Sequence, residues 1–162
     1  MKTTYEDSKD GKALTAIRTF EAPLNKVWNA WTNSEVLDKW WAPKPWVAAT
    51  KRFSFTPGGE WLYAMKGPDG EEHWAIVTYK TINPNVSFTG TDNFCDAEGN
   101  ASTEYKDTHW DVRFADNGNN TTTVTTTLTF GTQEDKDKLV EMGFKEGFSM
   151  GHDNLDELLK NE

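Results

Sequence analysis

The sequence holds one cysteine, Cys95, and three histidines, His73, His109 and His152. A lone thiol excludes an internal disulfide and fits a reducing compartment, so a cytoplasmic location is expected. Nothing beside Cys95 in the sequence would depress its pKa, which argues against a nucleophile. The best metal-like spacing is His109-Trp110-Asp111, which puts two donors on one side of a strand. A tetrahedral site needs more, so no metal is expected. Basic residues are also short: 17 Lys and Arg face 26 Asp and Glu, a net charge of −9. That balance excludes nucleic acid and anionic membrane surfaces as partners, because phosphate binding needs clustered cations. No apolar run approaches the roughly 18 residues that span a bilayer. The opening "MKTTYEDSKDGKAL" lacks the apolar core of a signal peptide. The turns "PGG" (57–59) and "GPDG" (67–70) lack the Lys-Ser/Thr of a phosphate loop, so no cofactor is implied.

What is abundant is aromatic surface. Eight tryptophans, nine phenylalanines and four tyrosines share 162 residues, a length that fits one domain and buries roughly 70% of the unfolded chain's surface. Such a surplus points to a lined cavity or a binding face.

Residues 1–12 are polar and read as a flexible tail, with a single domain over 13–162. "LTAIRTFEA" alternates as a strand around Leu14–Glu21. Two short helices follow: one after Pro23 with Val27, Trp28 and Trp31 inward, and one capped by Asn33 and stopped by Pro43 and Pro45. From Trp46 to Phe130, short strands alternate with Gly/Pro/Asn turns, the signature of an antiparallel meander. The polar stretch Cys95–Asp107 reads as a mobile loop. "TTTVTTTLTF" is the clearest strand. A long amphipathic helix then runs from a Thr132 cap to the end, with Val140, Phe144, Phe148, Leu155 and Leu158 on one face. Gly143, Gly147 and Gly151 lie on or beside that face. Each costs roughly 1 kcal/mol of helix propensity, so the helix is expected to be thin where it covers the sheet.

"RTFEAPLNKVWNAWTNSEVLDKWWAP" (18–43), "PGGEWLYAMKGPDG" (57–70) and "EMGFKEGFSMGHDNLDELL" (141–159) resemble the family of homologues of the heat-shock-protein ATPase activator. That family lies within the START-like, or SRPBCC, helix-grip superfamily, and the likeness covers about residues 13–160. It implies an α+β helix-grip fold: a curved antiparallel sheet of about seven strands wrapped around a long C-terminal helix, with an apolar cavity between them. One departure is that the acidic-x-Arg pattern before P-G-G is replaced by Ser54 and Thr56, which puts any polar network built on that pair in doubt.

Strand parity and the resemblance together assign a lining. Trp61, Tyr63 and Met65 share one side, as do Trp110 and Val112, with Val124 on the next strand; Tyr79, Phe144, Gly147, Phe148, Gly151 and His152 complete the set. The expected function is binding of a small apolar molecule, by a monomer or homodimer, with no catalytic residue assigned. Two alternatives stand beside it. One is a cyclase, dehydratase or hydrolase using a pocket His152 or tyrosine as acid and base. The other is a co-chaperone-like domain with a chaperone partner.

Overall fold

The computed structural model describes residues 2–161. Eight strands form one antiparallel sheet: β1 (Thr4–Asp7), β2 (Ala13–Phe20), β3 (Val47–Phe53), β4 (Glu60–Lys66), β5 (Glu72–Asn83), β6 (Ser87–Cys95), β7 (Thr108–Asp116) and β8 (Thr122–Thr129). Their spatial order is β1-β2-β8-β7-β6-β5-β4-β3, so β2 joins the last strand of the meander, β8, and its first strand, β3, forms the far edge. Helices α1 (Leu24–Thr32) and α2 (Ser34–Trp40) follow β2; α3 (Gln133–Glu141) and α4 (Phe144–Lys160) close the chain.

Alternation explains the concave face. On β2 and β8 every second residue is buried, placing Leu14, Ala16 and Phe20 beside Val124, Thr126 and Leu128. β-Branched threonines fill the other parity of β8, where they stabilise a half-exposed pleated face. Thr15 pairs with Thr127, and Thr19 with Thr123, by hydroxyl contacts across the strands. The sheet bends where registers slip, between Thr50 and Arg52 and between Tyr79 and Thr81. Gly90 lies opposite the second slip. A Cβ there would stand 2.5 Å from the Thr78 carbonyl oxygen, so the position requires glycine.

α1 and α2 plug one end of the concave face with Val27, Trp31, Leu37 and Trp40. Asn33 caps α2 by accepting from the Glu35 N–H, and Trp40 Nε1 donates to the Ala30 carbonyl, tying the two helices together.

Three expectations need correction. The sheet has eight strands rather than about seven, because part of the polar tail pairs as β1 against Thr15–Ile17 and Leu14 of β2. Tyr5 explains why so polar a segment is ordered: its hydroxyl bonds Ser149 Oγ at 2.7 Å and donates to the Lys145 carbonyl at 2.9 Å. Lys136, nearly fully buried, pairs with Asp7 at 2.9 Å. Second, the closing helix is two helices. Gly143 adopts φ 95°, a left-handed conformation that ends α3 and starts α4 at a new angle. Third, residues 96–107 are held in place. The Asn93 amide donates to the carbonyls of Tyr105 and Ser102, and Ser102 N–H donates to the Phe94 carbonyl.

Candidate functional site

An unfilled space of about 320 Å³ lies between the sheet and the α3–α4 junction. Its floor follows from strand register. Tyr63 and Met65 of β4, Ala75 of β5, Asp92 and Phe94 of β6, and Thr108 and Trp110 of β7 share the concave parity. Leu139 and Met142 of α3, Gly143, and Phe144, Gly147 and Phe148 of α4 form the roof. Trp41 and Pro43 close the α2 end, and Tyr105 closes the loop end.

The rings support one another. Trp110 meets Phe148 at 5.7 Å between centroids and Trp41 at 6.0 Å, while Phe144 stacks on Phe148 at 5.2 Å. Such aromatic pairs add about 0.5–1.5 kcal/mol beyond area burial, so the walls hold their shape without an occupant.

Two polar pairs interrupt this apolar lining. Trp41 Nε1 donates to the Tyr63 hydroxyl at 2.9 Å, and Trp110 Nε1 donates to Asp92 Oδ1 at 2.7 Å. Asp92 is only partly buried, and its open side faces the cavity. Burial raises its pKa to about 7; Asp107 adds to the rise, and the Trp110 hydrogen bond opposes it. Burial, and then the charge of Asp92, push the Tyr63 phenol upward.

Among the lining residues expected from the sequence, Tyr63, Met65, Trp110, Phe144, Gly147 and Phe148 border this cavity. Trp61, Tyr79 and Val112 instead surround a smaller void of about 30 Å³ deeper in the core, which Trp110 also touches. Val124 is fully packed in the core. The glycines part company. A Cβ on Gly147 would meet only Pro43, at 3.8 Å, whereas one on Gly151 would press on the Trp41 carbonyl oxygen at 3.2 Å. Gly151 thus serves a close crossing of α4 over the end of α2. Asn154 extends that contact by donating to the Ala42 carbonyl at 3.0 Å.

His152 is outside the cavity. It is fully buried against Phe20, Trp31 and Phe148, and its Nδ1 shares a 2.7 Å hydrogen bond with Thr3 Oγ1. Arg18 Nη1 donates to the same hydroxyl at 3.1 Å and pairs with Asp153 at 2.9 Å. Since Thr3 accepts from Arg18, its own hydrogen is free for a neutral imidazole. Burial, with the Arg18 charge second, lowers the His152 pKa to about 3. A base shielded in this way has no route to a cavity ligand.

Sequence reasoning missed Asp92, Phe94, Tyr105, Leu139, Met142, Trp41 and Pro43. The usable signal was "FTGTDNF", where Phe88, Gly90, Asp92 and Phe94 share one parity. Ser54 and Thr56 face each other through their hydroxyls at 3.2 Å, and an Arg52–Glu60 ion pair at 3.0 Å flanks the same turn. No three His, Cys, Asp or Glu side chains converge as metal ligands among the described residues.

A curved antiparallel sheet, a helix laid along its concave side and a hollow between them define a helix-grip protein. Residues 21–160 match the family model described as Activator of Hsp90 ATPase homolog 1-like protein, and the chain belongs to that family. Its fold is similar to a solution structure from Arthrobacter aurescens, with 28% identity and a TM-score of 0.90 over 98% of this chain and 92% of that one. It is equally similar to the crystal structure of Ms6760 from Mycobacterium smegmatis, with 27% identity and a TM-score of 0.90 over 98% and 97%. A Staphylococcus epidermidis protein follows at 28% and 0.84, over 98% and 94%. No curated protein matches the chain. No described helix is long and apolar enough to cross a membrane.

Proposed function

We propose that the chain binds a small, largely apolar molecule in the cavity beneath the α3–α4 junction. The observation that carries this reading is the combination of a preformed space of about 320 Å³ with aromatic walls and a bare Gly147 in its roof. Small-molecule sites are usually apolar clefts of roughly 300–1,000 Å³ with a few polar groups. Tyr63 and Asp92 supply the polar groups here. Burying about 150 Å² of ligand surface at about 25 cal/mol per Å² contributes roughly 4 kcal/mol before ordering costs. A cytoplasmic setting accompanies this reading, supported by the acidic charge and the lone cysteine.

Native mass spectrometry of the chain purified from the organism that encodes it tests the proposal. A mass adduct of a few hundred daltons that vanishes on denaturation is expected; a homogeneous unliganded mass that also takes up no added apolar probe would refute it.

A further inference from the structure

Asp92 is the carboxyl of the cavity floor, and the apolar reading uses it as a polar group without using its charge. One oxygen accepts from Trp110, and the other makes no hydrogen bond among the described residues. No described Lys, Arg or His forms an ion pair with it. The surrounding charges do not supply a counterion. Tyr63 approaches from β4 as a neutral phenol, and Asp107 from the loop is itself acidic. The α4 residues in the roof, Phe144, Gly147 and Phe148, carry no charge. His73, Glu104, Lys106, Asp135 and Lys138 stand on the cavity walls; Lys138 Nζ is placed over the Tyr105 ring, 4.4 Å from its centroid. A carboxylate taken out of water without a cation is costly. Trp110 meets the carboxyl by its N–H edge, and Trp41 lies beside Trp110 at 6.0 Å between centroids, so the carboxyl is flanked by rings that bring no positive charge.

Resting on the ligand-binding reading above, we propose that the cavity selects an amphiphilic ammonium. The apolar body lies against Phe144, Phe148 and Tyr105, and the charged nitrogen meets the free oxygen of Asp92 beside the Trp41 and Trp110 rings. The ligand's charge then supplies the counterion that the protein withholds. Because only ionised Asp92 recognises the ammonium, binding strengthens as pH rises through about 7, where that carboxyl titrates.

Calorimetric titration of the full chain with naphthylethylamine, naphthylethanol and ethylnaphthalene tests this. The amine is expected to bind at least roughly 10-fold tighter than the alcohol near pH 8, with the preference shrinking as the pH falls below about 6. Asp92→Asn, checked for a native circular-dichroism spectrum, is expected to bring amine and alcohol affinities within about 2-fold of each other. Equal amine and alcohol affinities in the wild type, or a preference that survives in Asp92→Asn, overturn the ammonium proposal and leave the apolar cavity standing. Failure of all three compounds to bind overturns both. The wild-type pH series decides the question even where the variant does not fold.

Discussion

Trp110 and Asp92 are diagonal neighbours across β6 and β7: Asp92 lies opposite Thr108, Trp110 lies opposite Gly90, and the indole Nε1 reaches back to Asp92 Oδ1 at 2.7 Å. Diagonal side chains on one face of a sheet are within reach of a large aromatic ring. The contact fixes both the carboxyl and the ring that forms the cavity wall.

Asp92 makes the folded chain favour protons that the unfolded chain has already lost. With a folded pKa of about 7 against an unfolded value near 3.9, its contribution is unfavourable above pH 4 and worsens until about pH 7. Asp92→Asn is therefore expected to stabilise the protein more at pH 8 than at pH 5, by about 2 kcal/mol after allowance for its partial exposure. Urea unfolding at the two pH values measures this. An equal effect at both would mean that Asp92 is ionised at pH 5.

How much of this was legible beforehand depends on how each element is held. β8 was plain because Val124, Leu128 and the threonines alternate without interruption, and burial follows that alternation. β1 was hidden because its anchors are far along the chain: Tyr5 bonds Ser149, 144 residues away, and Asp7 pairs with Lys136, 129 residues away. Gly143 was placed in a continuous helix since Val140 and Phe144 keep the helical period across it. Only the backbone shows the positive φ that breaks it. Asp92 escaped because a polar residue on the inward parity spoils the apolar pattern that reveals a strand's buried side. The same limit misplaced His152, whose position at the edge of the apolar face did not show which hollow, if any, it would meet.

Gly147 and Gly151 are predicted to respond oppositely to alanine. Gly147→Ala adds a methyl in ordinary contact with Pro43 and gains helix propensity, so about 0.5–1 kcal/mol of stabilisation is expected. Gly151→Ala pushes on the Trp41 carbonyl at the end of α2, a neighbour that cannot rotate away, and a loss of about 1 kcal/mol is expected despite the same propensity gain. Denaturant midpoints of the two variants decide it; stabilisation of Gly151→Ala equal to that of Gly147→Ala would refute the close helix crossing.

His152 carries the acid side of the stability profile. Its folded pKa of about 3 lies below the unfolded value near 6.5, so it disfavours folding progressively as pH falls from about 6.5 towards 3. This slope runs against that of Asp92 over pH 4–6.5, and the wild-type profile is expected to be flat there. In His152→Leu the opposing slope remains alone, and stability should then rise as pH falls from 6.5 to 4. A His152→Leu profile parallel to wild type would contradict the buried neutral imidazole.

Thr3 links the N-terminal segment to α4 through Arg18 and His152. Thr3→Val leaves His152 Nδ1 without its partner and removes one from Arg18, at an expected cost of about 1–3 kcal/mol. Thr4→Val on the exposed parity of β1 is the control, with a change within about 0.5 kcal/mol. Thermal unfolding of both variants measures the difference, and similar melting temperatures would mean that the Thr3 hydroxyl is not a shared partner.

The most direct test is uptake of a fluorescent apolar probe by wild type and by Gly147→Leu. The leucine side chain enters the space under the α4 roof, where the nearest atom to its Cβ is Pro43 Cγ at 3.8 Å. Probe affinity should fall at least roughly 10-fold while the unfolding midpoint stays level or rises, because filled volume stabilises an empty pocket. An unfolding midpoint that rises with probe affinity unchanged would show that the space beneath α4 is not where apolar molecules bind.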